Sequence, residues 1–377
     1  MTQRPGLWLR RHRHLFAFAW AVLWVCRVEA QVTRDRSPHR AGSTVHGGAR
    51  LHWLAWGTKG PAVVLLPGYS LTAHVFDDIG PLLAVDHRVI ALTPRGFGES
   101  DAPDSSAYTV PTLVEDLHAV FDSLGIERAA VAGHSLSGTV AAEFALRYPG
   151  RVTHLVLLDS YPYFAAAGGD SVANLDPIAV PPFRGDTTYA AAAQYLKRYR
   201  YVPWQPAFDS DLRAKPLGAE GARRRALTAD YIASQWAAPP DISRLSVPAL
   251  EVCAVPTVAS EYPWLRPSGR EYQRAQRFVA EHLRPFSRQL CERFAATVAG
   301  GRSVELRGSH YVFFTQPAVT VQTLRGFIGQ VGNPIHGVGA KALPLADWRG
   351  SLVQQMNSQE YPHRRPARAQ AAPRGPG

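Results

Sequence analysis

The sequence lacks the short motifs that usually mark a metal site or a nucleotide site. It contains no His-X-X-X-His pair, no Cys-X-X-Cys pair and no glycine-rich phosphate loop that opens a helix. These absences argue against metal chemistry and against chemistry on a bound cofactor. We therefore predict a protein that works without a cofactor or a metal ion.

Acidic residues are in the minority, with 30 Asp and Glu against 41 Lys and Arg and a formal net charge of +11. The excess positive charge lies in residues 1–50 and 361–377, so residues 51–360 are close to neutral. A nucleic-acid-binding surface needs Lys and Arg clustered on one face of the folded body. The distribution therefore argues against a nucleic-acid partner.

The N-terminus has the parts of an export signal. Arginines in residues 4–13 form a positive start, residues 15–25 are an uncharged apolar run, and Val28-Glu29-Ala30 carries small residues where a signal peptidase cuts. The apolar run is well short of the roughly 20 residues that a membrane-spanning helix needs. We predict a signal peptide over residues 1–30 and export to the periplasm or the medium. An uncleaved membrane anchor is the alternative.

Cysteine is scarce, with three residues in the chain. Cys26 would leave with the signal peptide, so that Cys253 and Cys291 remain. In an exported protein such a pair can form one disulfide. Two separate buried thiols are the alternative, and the sequence leaves the choice open.

Apolar runs alternate with helical patterns over most of the chain. Residues 50–57 alternate apolar and polar side chains, which is typical of an edge strand, whereas continuous apolar runs are typical of strands buried on both faces of a parallel sheet. Such runs lie at 62–66, 88–92, 129–132 and 154–158, and further strands are predicted at 249–255 and 303–306. Helical spacing occurs at 112–124, 270–299 with a break at Pro285, and 319–331. This order predicts an α/β fold with a doubly wound, mostly parallel sheet.

Composition divides the chain into segments around this sheet. The polar residues 31–48 are interpreted as a linker, and residues 49–160 and 245–332 as the α/β core. The alternation fails over 161–244, which is rich in Pro, Ala and aromatic residues and is interpreted as an inserted, helical cap. Residues 333–377 lose periodicity and are predicted to be a disordered basic tail.

The strongest chemical signal is the segment Gly133-His134-Ser135-Leu136-Ser137. It follows a predicted buried strand and precedes a predicted helix, which is the setting of a nucleophile elbow. The tight turn strains the backbone of the nucleophile, so the residues at 133 and 137 must be small, and Gly and Ser satisfy this. Ser135 is therefore the predicted nucleophile, while the side chain of His134 is expected to point away and pack.

Two further motifs accompany the elbow. They are Leu-Leu-Pro-Gly-Tyr at 65–69 and Pro-Arg-Gly-Phe-Gly-Glu-Ser at 94–100. Together with the elbow, they occur in the order seen in the α/β-hydrolase superfamily. The chain resembles this superfamily over residues 50–331, and within it an esterase-like branch with an inserted cap. Pro67 replaces the usual His, Thr93 the frequent Asp and Ser137 the commoner Gly, and no catalytic group is lost. The resemblance implies an oxyanion hole made by the backbone amides of Tyr69 and Leu136.

A serine nucleophile needs a base to take its proton. His310 follows the last predicted strand through Arg307-Gly308-Ser309, and this position resembles the superfamily's late loop that brings a histidine over the elbow. His310 is therefore the predicted general base.

The acid that orients the base has two candidates. Superfamily members most often carry it after the seventh strand, and there the first carboxylate beyond the 249–255 run is Glu261. Asp159 instead ends the 154–158 run, the expected sixth strand, where some haloalkane dehalogenases place the acid. We favour Asp159 as the acid, with Glu261 as the alternative. Asp159 could instead have only a structural role as a capping or turn residue.

Together these residues predict a cofactor-free serine hydrolase that cleaves a small carboxylic ester, or a related acyl compound, through an acyl-enzyme on Ser135. An acyltransferase or a carbon–carbon bond hydrolase with the same residues is an alternative, and an inactive binding protein is an alternative of another class. Cap aromatics, among them Tyr161, Tyr163 and Phe164, either line an apolar substrate pocket or pack the cap on the core. The substrate and the oligomeric state do not follow from the sequence.

Overall fold

An eight-stranded sheet forms the centre of the fold, in the order β1-β2-β4-β3-β5-β6-β7-β8. The computed structural model describes residues 37–104, 108–160, 175–180, 188–200, 204–237 and 239–329. The strands are β1 (Arg40–His46), β2 (Ala49–Trp56), β3 (Ala62–Leu66), β4 (Arg88–Leu92), β5 (Ala129–His134), β6 (Val152–Leu158), β7 (Ala249–Val255) and β8 (Arg302–Arg307). β2 pairs antiparallel with β1 and β4, and all the other neighbouring strands pair parallel, so the predicted α/β architecture with a mostly parallel sheet is confirmed.

The first strand corrects two predictions. Residues 31–48 were expected to be a linker, yet Arg40–His46 pairs along its whole length with β2, and this makes β2 an interior strand rather than the predicted edge. Gly47 and Gly48 close the hairpin with φ values of 53° and 74°, which glycine adopts without strain. The strand was missed because an edge strand is held mainly by backbone pairing. Its one large apolar residue, Val45, is 72% exposed.

The described residues contain eleven α-helices. They are α1 (Gly80–Leu83), α2 (Val110–Ser123), α3 (Ser137–Arg147), α4 (Tyr189–Tyr199), α5 (Pro206–Ala214), α6 (Gly218–Ala237), α7 (Val258–Glu261), α8 (Arg270–Phe278), α9 (Arg284–Thr297), α10 (Val312–Thr315) and α11 (Pro317–Ile328). Helices α4, α5 and α6 lie between β6 and β7, within the segment predicted as a cap. In the sequence they follow the carboxyl end of β6.

Local sequence explains where the main helices begin and break. The Thr109 side chain accepts a hydrogen bond from the amide of Thr112 and caps α2, which buries Leu117 and Phe121 against the sheet. The break predicted near Pro285 is a π-helical turn at Val279–Leu283 between α8 and α9. Proline has no amide to donate and crowds the preceding turn, so regular α-helical bonding cannot run through this point.

Cys253 of β7 and Cys291 of α9 pair as a disulfide, with their Cα atoms 6.3 Å apart. The disulfide links helix α9 to the seventh strand. Among the described residues, no helix has the length and apolar content needed to cross a membrane. The predicted signal peptide (1–30) and basic tail (333–377) lie outside the described residues.

Candidate active site

Ser135 occupies a sharp turn between β5 and α3. Its φ is 53°, in the left-handed region that non-glycine residues rarely adopt, and its amide donates to the carbonyl of Leu158 at 3.2 Å. A Cβ at Gly133 would lie 2.5 Å from the carbonyl oxygen of Ser137, so only glycine fits there. Ser137 is tolerated because its hydroxyl donates to the carbonyl of Pro67 at 2.5 Å. The local backbone therefore has the strain and the tight packing of a nucleophile elbow.

Asp159 and His310 are in direct contact. The Nδ1 of His310 lies 2.6 Å from the Oδ2 of Asp159, although 151 residues separate them in the chain. The other carboxylate oxygen of Asp159 accepts the amide of Ala254 at 2.8 Å, and the amide of Asp159 donates to Val252 at 2.7 Å. Both oxygens are therefore engaged, and the carboxylate orients the imidazole from the end of β6.

His134 connects the elbow to the loop that carries His310. Its Nε2–H donates to the carbonyl oxygen of His310 at 3.1 Å, and the two rings lie 4.6 Å apart. Complete burial lowers the pKa of His134 well below its usual range, and the nearby His310 acts in the same direction, so His134 is neutral. The prediction that this side chain packs is met by its contact with Phe313, 4.8 Å between ring centroids. The sequence did not reveal that it also holds the backbone of His310.

The turn at residues 67–72, called the 67–72 turn below, brings main chain close to Ser135. A Cβ added at Gly68 would lie 3.0 Å from the Cβ of Ser135 and 2.9 Å from the Nδ1 of His134. Only glycine allows this approach, which places the backbone of residues 68–69 beside the elbow. Leu136 follows Ser135 at the start of α3 and is 6% exposed. Of the two predicted oxyanion residues, Leu136 is therefore adjacent to Ser135 in the chain, and Tyr69 follows the glycine that approaches Ser135.

Residues 61–237 match the family described as the α/β-hydrolase fold. The chain belongs to the α/β-hydrolase superfamily. Relatives with known names share about a third of their residues with it over short segments. A serine hydrolase-like protein of Danio rerio is 34% identical over 127 residues, which are 33% of this chain and 39% of the relative. A fluoroacetate dehalogenase of a Burkholderia species is 33% identical over 112 residues, 29% of this chain and 37% of the relative.

Solved structures extend the similarity to most of this α/β-hydrolase. A probable hydrolytic enzyme from Pseudomonas aeruginosa superposes with a TM-score of 0.56 at 24% identity, and covers 77% of this chain and 94% of its own. At this level of identity the likeness shows the fold alone. The chain spans less than two fifths of the length of the two relatives named above.

Glu261, the alternative acid, lies at the end of α7 and does not bond to His310. Its Oε1 accepts from the hydroxyl of Ser260 at 2.9 Å. Burial raises the pKa of Glu261 to about 7, and the neighbouring charge of Asp159 adds to the effect. The carboxyl after the seventh strand is therefore near the site, but the Nδ1 of His310 is engaged by Asp159.

Glu251 is a buried carboxyl that lies inside the seventh strand, as the sequence predicts. It is fully excluded from solvent on β7, and its Oε1 accepts the amide of Ser160 at 3.0 Å. Its Oε2 has no hydrogen-bond partner among the described residues. Burial raises the pKa of Glu251 well above its usual range, so the group is neutral and supports the turn after Asp159 without competing as a charged acid.

The raised pKa of Glu261 predicts a pH-dependent stability. Between the ordinary pKa of 4.5 and the folded value near 7, the folded protein keeps a proton that the unfolded chain releases. Stability therefore falls as the pH rises through this window. Glu261→Gln has no group that titrates at this position. The free energy of unfolding of the variant, relative to that of wild type, should therefore increase by on the order of 1–3 kcal/mol from pH 5 to pH 8.

Urea unfolding of both proteins at the two pH values measures this gain. The exposed Glu281 lies nearby in sequence on the π-helical turn, and Glu281→Gln controls for the loss of one negative charge. A gap between Glu261→Gln and wild type that is equal at pH 5 and pH 8 would contradict the argument.

The predicted substrate residues Tyr161, Tyr163 and Phe164 lie outside the described residues. Of the other aromatics between β6 and β7, Tyr195 contacts Tyr199 at 5.2 Å, and Tyr199 contacts Trp264 at 5.6 Å between ring centroids. These two tyrosines pack against other aromatic rings. In the ranges that the structure describes, no group of three His, Cys, Asp or Glu side chains is arranged to hold a metal ion.

Proposed function

We propose that this protein is a serine hydrolase that cleaves a carboxylic ester through an acyl-enzyme on Ser135. One observation carries the proposal. His310 Nδ1 contacts the Asp159 carboxylate at 2.6 Å, and the backbone carbonyl of His310 is bonded to His134, the residue that precedes the strained Ser135. Ser135, Asp159 and His310 follow the carboxyl ends of β5, β6 and β8, and this arrangement supports the proposed roles of nucleophile, acid and base.

In this mechanism Nε2 of His310 removes the proton of Ser135 Oγ as that oxygen bonds to the ester carbonyl carbon. The carbonyl oxygen becomes an oxyanion held by the amides of Tyr69 and Leu136. The carbon–oxygen bond to the alcohol then breaks, and the alcohol leaves with the proton from His310. Water, deprotonated by the same imidazole, attacks the acyl-enzyme and releases the acid, which restores Ser135. Asp159 keeps Nδ1–H of His310 oriented and stabilises the imidazolium.

The serine at the elbow favours acyl chemistry over the chemistry named for the dehalogenase relative. Haloalkane dehalogenases of the superfamily displace halide with a carboxylate that becomes an alkyl ester on the enzyme. A hydroxyl at position 135 yields an acyl ester when it attacks a carbonyl, and His310 is the imidazole that we propose activates it. A carboxylic ester is therefore the substrate class that these residues suit.

The test combines turnover with covalent trapping. Protein lacking residues 1–30 should hydrolyse p-nitrophenyl butyrate, and a fluorophosphonate should abolish that activity and label the peptide containing Ser135, as read by mass spectrometry. Added alcohol should not divert the acyl group into a new ester, which separates a hydrolase from an acyltransferase. A folded protein that neither turns over the ester nor takes the label would overturn the proposal and favour a binding role.

A further inference from the structure

Asp211 is a buried carboxylate on α5, outside the residues assigned a chemical role above. It is 1% exposed, and its Oδ1 accepts two hydrogen bonds from one residue, the amide of Thr72 at 2.7 Å and the hydroxyl of Thr72 at 2.8 Å. Its Oδ2 pairs with the ammonium of Lys215 at 2.6 Å. A charged group so far from water is retained only with such partners, so this contact is a strong and directional one.

Thr72 ends the 67–72 turn. It is fully buried, and its hydroxyl also caps the short helical turn Ala73–Phe76 by accepting from the amide of His74 at 3.3 Å. Within the turn, Leu71 donates to the carbonyl of Gly68 at 3.1 Å, and Ser70 has a φ of 59°. A non-glycine residue in this conformation persists only when its surroundings hold it. The Asp211 contact holds one end of the strained segment.

Helix α6 holds the same turn at its other end. The hydroxyl of Tyr69 lies 3.1 Å from the hydroxyl of Thr228, and the Tyr69 ring lies 6.1 Å from that of Tyr231. Two helices inserted between β6 and β7 therefore contact the turn. Helix α6 contacts the Tyr69 side chain, and α5 is hydrogen-bonded to Thr72. The amide of Tyr69, which the proposed mechanism uses, belongs to the residue that contacts α6 and lies three residues before Thr72.

Helix α5 also contacts the histidine side of the site. Phe208 packs on Phe314 with 3.7 Å between ring centroids and on Tyr311 with 6.0 Å. Tyr311 directly follows His310. The single helix that carries Asp211 thus contacts the 67–72 turn with one residue and the loop of the proposed base with another.

We propose that Asp211 is a positioning residue that holds the 67–72 turn so that the amide of Tyr69 meets the oxyanion of the transition state. The inference rests on the proposed function. Removal of the carboxylate leaves the amide and hydroxyl of Thr72 without their buried acceptor, and the strained turn relaxes. A displacement of about 1 Å at such a site can cost on the order of 10²-fold in rate.

The experiment uses Asp211→Ala, with a conservative double variant as rescue. We expect Asp211→Ala to lower kcat for p-nitrophenyl butyrate roughly 10–100-fold, because the amide is displaced rather than deleted, while KM changes less than about threefold. Asp211→Asn combined with Lys215→Met keeps an oxygen for both Thr72 donors and removes the cation that would face an amide. It should recover most of kcat. Lys215→Met alone, the matched control, should stay within a few-fold of wild type.

A transition-state analogue separates positioning from general loss of structure. A trifluoromethyl ketone forms a tetrahedral oxyanion with the serine, and its affinity for Asp211→Ala should fall in parallel with kcat. The corresponding alcohol, which forms no oxyanion, should bind as it does to wild type. A folded Asp211→Ala protein with wild-type kcat and wild-type affinity for the ketone would overturn the inference alone.

If circular dichroism shows that Asp211→Ala does not fold, Thr72→Val decides, because it removes one of the two donors. It should lower kcat about 3–10-fold with the same selective loss of ketone affinity, and an unchanged kcat overturns the inference. A wild-type protein with neither ester turnover nor labelling of Ser135 overturns the proposed function, and this inference with it.

Discussion

Ser135→Ala is expected to lower kcat for ester hydrolysis by roughly 10⁴–10⁶-fold, the range found when a serine nucleophile is removed from a triad. Alanine leaves no oxygen to attack the carbonyl, so the acyl-enzyme cannot form. The contact between His310 and Asp159 joins Nδ1 to a carboxylate oxygen and does not involve the lost hydroxyl, so it should remain in the variant. The two-step route is therefore closed while the fold is preserved.

A neighbouring serine provides the matched control. Ser137 lies two residues further along, is 2% exposed, and directs its hydroxyl to the carbonyl of Pro67. Ser137→Ala should keep activity within about tenfold, since it loses one hydrogen bond of ordinary strength. It should still react with a fluorophosphonate, whereas Ser135→Ala should not. A Ser135→Ala protein that retains labelling, or that stays within tenfold of wild type, would show that the nucleophile is another residue.

Asp159→Asn is the second large effect, with an expected loss of about 10⁴-fold in kcat. The Oδ1 of Asp159 accepts the amide of Ala254, so an asparagine keeps its carbonyl oxygen there and presents its NH₂ group to His310. Nδ1 of His310 must then accept, and the proton moves to Nε2. An imidazole with its proton on Nε2 cannot take another from Ser135.

Glu261→Gln discriminates between the two candidate acids. It removes the alternative carboxylate with little change in shape, and we expect kcat to stay within a few-fold of wild type near pH 8. The steady-state kinetics of both variants should be measured on the same p-nitrophenyl ester, with circular dichroism to verify folding. If Glu261→Gln is the inactive variant and Asp159→Asn is active, the acid lies after β7 and the 2.6 Å contact of Asp159 with His310 is structural.

Local patterns in the sequence were sufficient for the central strands. The apolar runs at 62–66 and 88–92 and the predicted strand at 249–255 coincide with β3, β4 and β7. Strands of a parallel sheet are covered on both faces, so consecutive residues of such a strand are apolar and the strand can be recognised in the sequence. The elbow was equally visible, because a strained turn between a strand and a helix restricts the residues at its own positions, Gly133 and Ser137.

Contacts between distant segments could not be seen in this way. The hairpin strand β1 has no periodic burial, and its partner β2 was therefore expected at the edge of the sheet. The candidate acids Asp159 and Glu261 have similar local signals, and the choice depends on which strand end faces His310. Thr72 and Asp211 meet across 139 residues, and nothing near either residue predicts the pairing.

The sequence by itself determined the fold class, the strained Ser135 turn and the position of a histidine after the last strand. Tertiary structure alone decided that Asp159 contacts His310, that His134 supports the loop of His310, and that two inserted helices hold the 67–72 turn. The physical reason is one of range. Side-chain periodicity and backbone strain act over a few neighbouring residues, whereas these hydrogen bonds depend on the order of strands in the sheet.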